Sequence, residues 1–82
     1  MPRYFFDTHD GERQLRDEEG SKLLGLQEAC DEAIRLLPGI ARDVLPGGDR
    51  RDFVSTVRDE RGRLVFRATL SFRAEWLVPR PG

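Results

Sequence analysis

Apolar positions along this chain change period twice. Arg3-Tyr4-Phe5-Phe6-Asp7 is short and rich in aromatics, which predicts a strand. Asp10-Gly11 follows and predicts a two-residue turn, because Gly takes φ > 0 without a steric cost. A second strand is expected from Glu12 to Asp17, with Phe6 opposite Leu15, and Glu18-Glu19-Gly20-Ser21 should break it. From Leu26 the period becomes helical. Leu26, Ala29, Cys30, Ala33, Ile34, Leu37, Ile40, Ala41, Val44 and Leu45 recur at steps of three and four. Gly25 is an acceptable N-cap, with Glu28 placed to reach back to it and Leu24 placed to staple onto Ala29. Gln27, Glu28, Asp31 and Glu32 suit the positive end of the helix dipole. Pro38 removes one hydrogen bond and crowds the Ile34 carbonyl. The apolar phase runs on across it, which predicts one kinked helix that Leu45-Pro46-Gly47-Gly48 ends.

The last third alternates with period two. Phe53, Ser55 and Val57 share one face, and Val54, Thr56 and Arg58 share the other. Beyond Asp59-Glu60-Arg61-Gly62 the even positions Leu64, Phe66, Ala68, Leu70, Phe72, Ala74 and Trp76 are apolar. The odd positions are polar except Val65. A turn at Arg61-Gly62 pairs Val57 with Phe66, Phe53 with Leu70 and Asp52 with Ser71, so register and pattern agree. Phe72 to Val78 should then overhang the partner strand. The expected fold is α+β, ββαββ: a four-stranded, mainly antiparallel sheet with one Pro-kinked helix on one face. Residues 1–78 form a single domain and 79–82 a flexible tail. Phe6, Ile34, Leu37, Phe66 and Leu70 are the expected core.

These residues resemble a family of short bacterial proteins of unknown function. The shared pattern is Tyr4-Phe5-Phe6-Asp7, Asp10-Gly11, Arg16 to Gly20, Leu37 to Ala41, and Val57 to Arg63. The resemblance spans roughly Arg3 to Trp76. It implies no activity, cofactor or catalytic residue.

Composition narrows the classes. The 82 residues suffice for one domain with a thin core. Five Phe, one Tyr and one Trp argue against disorder. The net charge of −1 gives no general pull toward nucleic acid or membrane. The charge is uneven: residues 1–35 hold nine acids and five bases, residues 36–82 six and nine. The lone Cys30 excludes an internal disulfide and Cys-based zinc sites. No apolar run approaches the ~20 residues of a membrane span. The start reads directly into a strand, so no signal peptide and a cytoplasmic location are expected.

Candidate chemistry is sparse. Asp7, His9 and Asp10 form the sole cluster of catalytic residue types and could hold a metal or run acid–base chemistry. Turn formation explains the same residues more simply. Asp17-Glu18-Glu19 and Asp59-Glu60 lack the spacing of a calcium loop and read as solvated turns. Cys30 lies on the apolar stripe, and Ser55 has no neighbouring base. The candidate partner surface is Phe5, Arg58, Arg67 and Arg73 on the sheet face away from the helix, together with Trp76 on the apolar side of the overhang. The resulting expectation is a small non-enzymatic binding or regulatory module, self-associating as a homodimer, with no cofactor. A nucleic-acid module on the Arg-bearing face is the second reading, and a metal-dependent enzyme on the Asp7/His9/Asp10 turn the third.

Overall fold

The computed structural model covers all 82 residues. The chain runs β1 (Arg3–His9), β2 (Gln14–Leu15), β3 (Ser21–Lys22), α1 (Leu26–Val44), β4 (Arg50–Arg58) and β5 (Leu64–Arg73). The strands form one five-stranded antiparallel sheet in the order β2-β1-β4-β5, with β3 also on β1. One helix and an antiparallel sheet are therefore as expected, but the second strand is not. The segment after β1 touches it twice, through β2 at Thr8 and His9 and through β3 at Arg3 and Tyr4. Five strands replace four.

The first turn is also wider than expected. Leu15 lies opposite Thr8 rather than Phe6, and His9 opposite Gln14, which leaves residues 10–13 as the loop. The cause is Asp10. Its carboxylate accepts the amides of both Glu12 and Arg13, closing a longer turn than Asp10-Gly11 alone would make.

The second hairpin has the expected register: Val57 opposite Phe66, Phe53 opposite Leu70 and Asp52 opposite Ser71. It extends further than expected, because β4 starts at Arg50. Phe72 pairs with Arg51, and the Ala74 amide donates to the Asp49 carbonyl at 2.7 Å. The overhang thus begins only at Glu75. Near the turn the register slips, from Val57–Phe66 to Arg58–Leu64, leaving Val65 as an extra residue in a β-bulge. Val65 consequently packs against the core beside Phe66, and Leu64 takes the outer face beside Arg58.

Helix α1 is unbroken through Pro38, which lies exposed on its outer side. Its buried residues Ala29, Ala33, Leu37 and Ala41 form one i, i+4 ridge. Three alanines bring the helix axis close to β4, whose Phe53, Ser55 and Val57 are fully buried beneath it. The core divides into two parts, Tyr4 with Ala29, Ala33 and Val57, and Leu37 with Ala41 and Phe53. Phe6 and Phe66 pack against the first part and Leu37 belongs to the second, as expected. Ile34 and Leu70 do not join them; they are 51% and 39% exposed. Leu24 is exposed as well, and Leu23 packs inward in its place. The reason is lateral placement. The strands nearest α1 are β4 and β5. Its Leu36 and Ile40 flank lines the gap toward β1, so the opposite flank, with Ile34, overhangs β5.

Candidate binding surfaces

The outer sheet face is held by an ion pair that runs through several motif residues. Asp7 on β1 and Arg58 on β4 are both nearly buried. Arg58 Nε donates to Asp7 Oδ2 at 2.6 Å and Nη2 to Oδ1 at 3.1 Å, a bidentate contact. Arg58 Nη2 also donates to the Asp17 carbonyl at 2.7 Å. Asp17 closes the circuit. Its amide donates to Asp7 Oδ1, and its carboxylate accepts the amides of Phe6, Glu19 and Gly20. Phe6 lies where β1 has lost its neighbour, between β2 and β3. The Asp17 side chain supplies the acceptor that a strand would otherwise provide. Asp17 is therefore a half-buried anchor and not the solvated turn residue expected from sequence.

Gly20 is part of the same unit. It has φ +72°, and a Cβ there would lie 2.9 Å from the Tyr4 carbonyl oxygen and from the Phe5 ring. The Phe5 ring in turn lies 4.9 Å from Arg58 Cζ, a cation–π contact.

This circuit decides the standing of the five expected surface residues. Phe5 is half-buried with one side of its ring taken by Arg58, and Arg58 is buried and paired. Arg58 is thus engaged within the chain, and Phe5 keeps part of its ring open. Arg67, Arg73 and Trp76 remain exposed, with Arg73 paired to Glu75 at 3.0 Å. On the expected stacking platform for nucleic-acid bases, one face of its single aromatic is covered by Arg58.

The three residues of the first turn are each engaged locally. Asp7 serves Arg58 and Asp17. Asp10 serves Glu12 and Arg13, and His9 Nδ1 accepts the Gly11 amide at 3.0 Å. No group of three or more His, Cys, Asp and Glu side chains converges anywhere in the chain. Burial pushes the Cys30 thiol up from its usual range, and the Asp31 carboxylate adds to this. Ser55 is fully buried and its hydroxyl has no partner. It sits under the alanine ridge, where a larger side chain would lift the helix.

Two surfaces remain open. The first is a groove of about 600 Å³ between α1 and β1, lined by Phe6, Leu15, Leu23, Leu36 and Ile40 with Asp17 and Glu32 at its rim. The second is the outer edge of β5. This strand is ten residues long and has β4 on one side and nothing on the other. Sequence reasoning placed the unpaired edge in the overhang; the structure places it along the whole of β5. The signal was the length of the alternating run, but strand order was needed to see that its far side is free. No helix is long and apolar enough to cross a membrane.

A family described as Domain of unknown function (DUF6894) matches residues 3–71. That span holds β1 to β4, the ion-pair circuit and most of β5. No curated protein and no solved structure matches the chain.

Proposed function

The chain belongs to this family of domains of unknown function, and from its own surfaces we propose that it is a small non-catalytic binding module that receives a partner's β-strand along the edge of β5. The observation that carries the reading is the free ten-residue edge. Sheet edges present unpaired N–H and C=O groups that bind another strand through the main chain. Apolar residues border this edge: Ile34 overhangs it and Leu70 is half-covered. Inside β5, no proline or bulge interrupts the stretch from Phe66 to Arg73.

A catalytic reading has less support, because the titratable groups of the outer face are consumed in holding the sheet. We place the module in the cytoplasm, where its unpaired Cys30 would stay reduced.

A photo-crosslinking residue at Arg67, on the exposed edge, tests the reading in producing cells. Crosslinks from position 67 that disappear with Ser71→Pro are expected. The same residue at Arg42, on the outer side of α1, should give none of them. Equal products from both positions would reject the edge as the binding element.

A further inference from the structure

We infer that the strand received by β5 is β5 of a second copy, paired antiparallel about a two-fold axis through Thr69. This inference rests on the binding-edge reading and adds to it the occupant and the register.

The backbone comes first. In an antiparallel ladder, residues alternate between those that bond one neighbour strand and those that bond the other. The Ala74 amide bonds Asp49 on the β4 side. Counting back, Phe72, Leu70 and Ala68 point the same way, so Arg73, Ser71, Thr69 and Arg67 direct their N–H and C=O groups outward. A two-fold pair must also match faces, so it joins residues of equal parity. The axis can therefore pass through one residue and not between two.

The bulge and charge then select among the positions. An axis at Ala68 pairs only Phe66 to Leu70 before the Val65 bulge interrupts the ladder. An axis at Leu70 places Arg67 opposite Arg73, and one at Arg67 stacks that residue on itself. Like charges directly opposite one another destabilise a sheet. With the axis at Thr69 no arginine faces an arginine. Arg67 meets Ser71, and the bulge-free stretch from Phe66 to Phe72 is paired in full. On the helix side Phe66 meets Phe72, and Ala68 meets Leu70, which pairs aromatics with each other and small with large. An axis at Ser71 also avoids arginine pairs, but it engages only Thr69 to Arg73 within the strand and leaves the rest of β5 open.

The helices complete the fit. Strands are spaced about 4.8 Å apart, so helices lying over β4 and β5 of each copy come within roughly 10–14 Å across the seam. Ile34 and Leu70 of both copies, half-exposed in one chain, fill that gap. The same displacement of α1 toward β5 that leaves the groove beside β1 puts apolar surface where the second copy needs it.

Two measurements on the full chain decide the matter. Light scattering should report a dimer for wild type at high micromolar concentration and a monomer for Thr69→Pro. Proline at 69 removes an outward N–H, which an edge strand tolerates, so the variant should keep the wild-type circular dichroism. A cysteine scan in a Cys30→Ala background fixes the axis without relying on that variant. Thr69→Cys should oxidise to a linked dimer several-fold more readily than Ala68→Cys or Leu70→Cys, since an opposed pair at about 5.5 Å suits a disulfide. Preferential linking at 68 or 70 would overturn the register. A monomeric wild type would overturn the second copy as occupant, even if crosslinks from position 67 to another protein upheld the edge itself.

Discussion

Asp7 and Asp17 each serve several donors, and the charge each carries is what makes them useful. The Arg58 hydrogen bond is the main influence holding the Asp7 carboxyl below the usual carboxylate range; burial opposes it and the Asp17 amide assists. For Asp17, burial is the largest single influence and pushes upward, but the amides of Gly20, Phe6 and Glu19 together outweigh it and leave the group low. Both groups thus bind protons less readily folded than unfolded. The stability they contribute is complete above the unfolded aspartate value of about 3.9. It is lost as pH falls through their lower folded values. The urea midpoint is therefore expected to be flat from neutrality to about pH 5 and to fall below about pH 4. In Asp7→Asn the plateau should be lower and the acid drop shallower; a midpoint that rises on acidification would contradict this. Removing one partner of a nearly buried ion pair costs about 3–5 kcal/mol, because the other charge is left without compensation. Asp7→Ala and Arg58→Ala should each lose that much, and the double variant less than their sum, as read from urea melts. An active-site aspartate would behave differently: its alanine variant would keep its fold. His9 lies outside the circuit, so His9→Ala should stay within about 0.5 kcal/mol of wild type.

The elements differ in how they respond to small changes, and two glycines show it. Gly20 has φ +72°, and an added Cβ would meet backbone at 2.9 Å. Gly20→Ala is expected to cost about 1–3 kcal/mol in strain and more if the Asp17 cap is lost with it. Gly39 sits inside α1 with open space around it. Gly39→Ala should raise stability by about 0.5–1 kcal/mol. Thermal melts of the two variants should therefore move in opposite directions. The same contrast explains what was legible in the sequence. α1 and the second hairpin could be read because period and turn agreed over long stretches. Even the bulge left a mark, since Val65 breaks the alternation at the point where the register slips. The first hairpin could not be read. Its partner strand is two pieces of two residues each, held apart by Asp17, and that anchor works through side-chain-to-backbone bonds that leave no periodic signal. Phe5 and Arg58 read as an open face because alternation gives the side of the sheet and not what covers it. Ile34 and Leu70 carry the right period for the core. Their exposure follows from where α1 sits across the sheet, which a helical pattern does not specify.

As a whole the molecule has a thin interior: ten of its 82 residues are buried, and three of those are the polar Asp7, Ser55 and Arg58. A chain of this size has little margin, so a binding partner that covers Ile34 and Leu70 should add measurably to its stability. The C-terminal tail contributes nothing comparable within one chain. Trp76, Leu77 and Val78 are 58%, 90% and 66% exposed, and none packs into either part of the core. Removing residues 77–82 should therefore leave the far-UV spectrum and the melt of the dilute protein unchanged. Self-association makes a further demand on the same experiment. When folding is coupled to pairing, apparent stability follows mass action and rises with protein concentration. The melting temperature of wild type should climb as the protein is concentrated from low to high micromolar, and that of Thr69→Pro should stay where the dilute wild type melts. The tail-deleted chain should climb like wild type, because its β5 edge is intact. If all three melted at one temperature across that range, the exposed apolar border of β5 would have to be explained without a second copy.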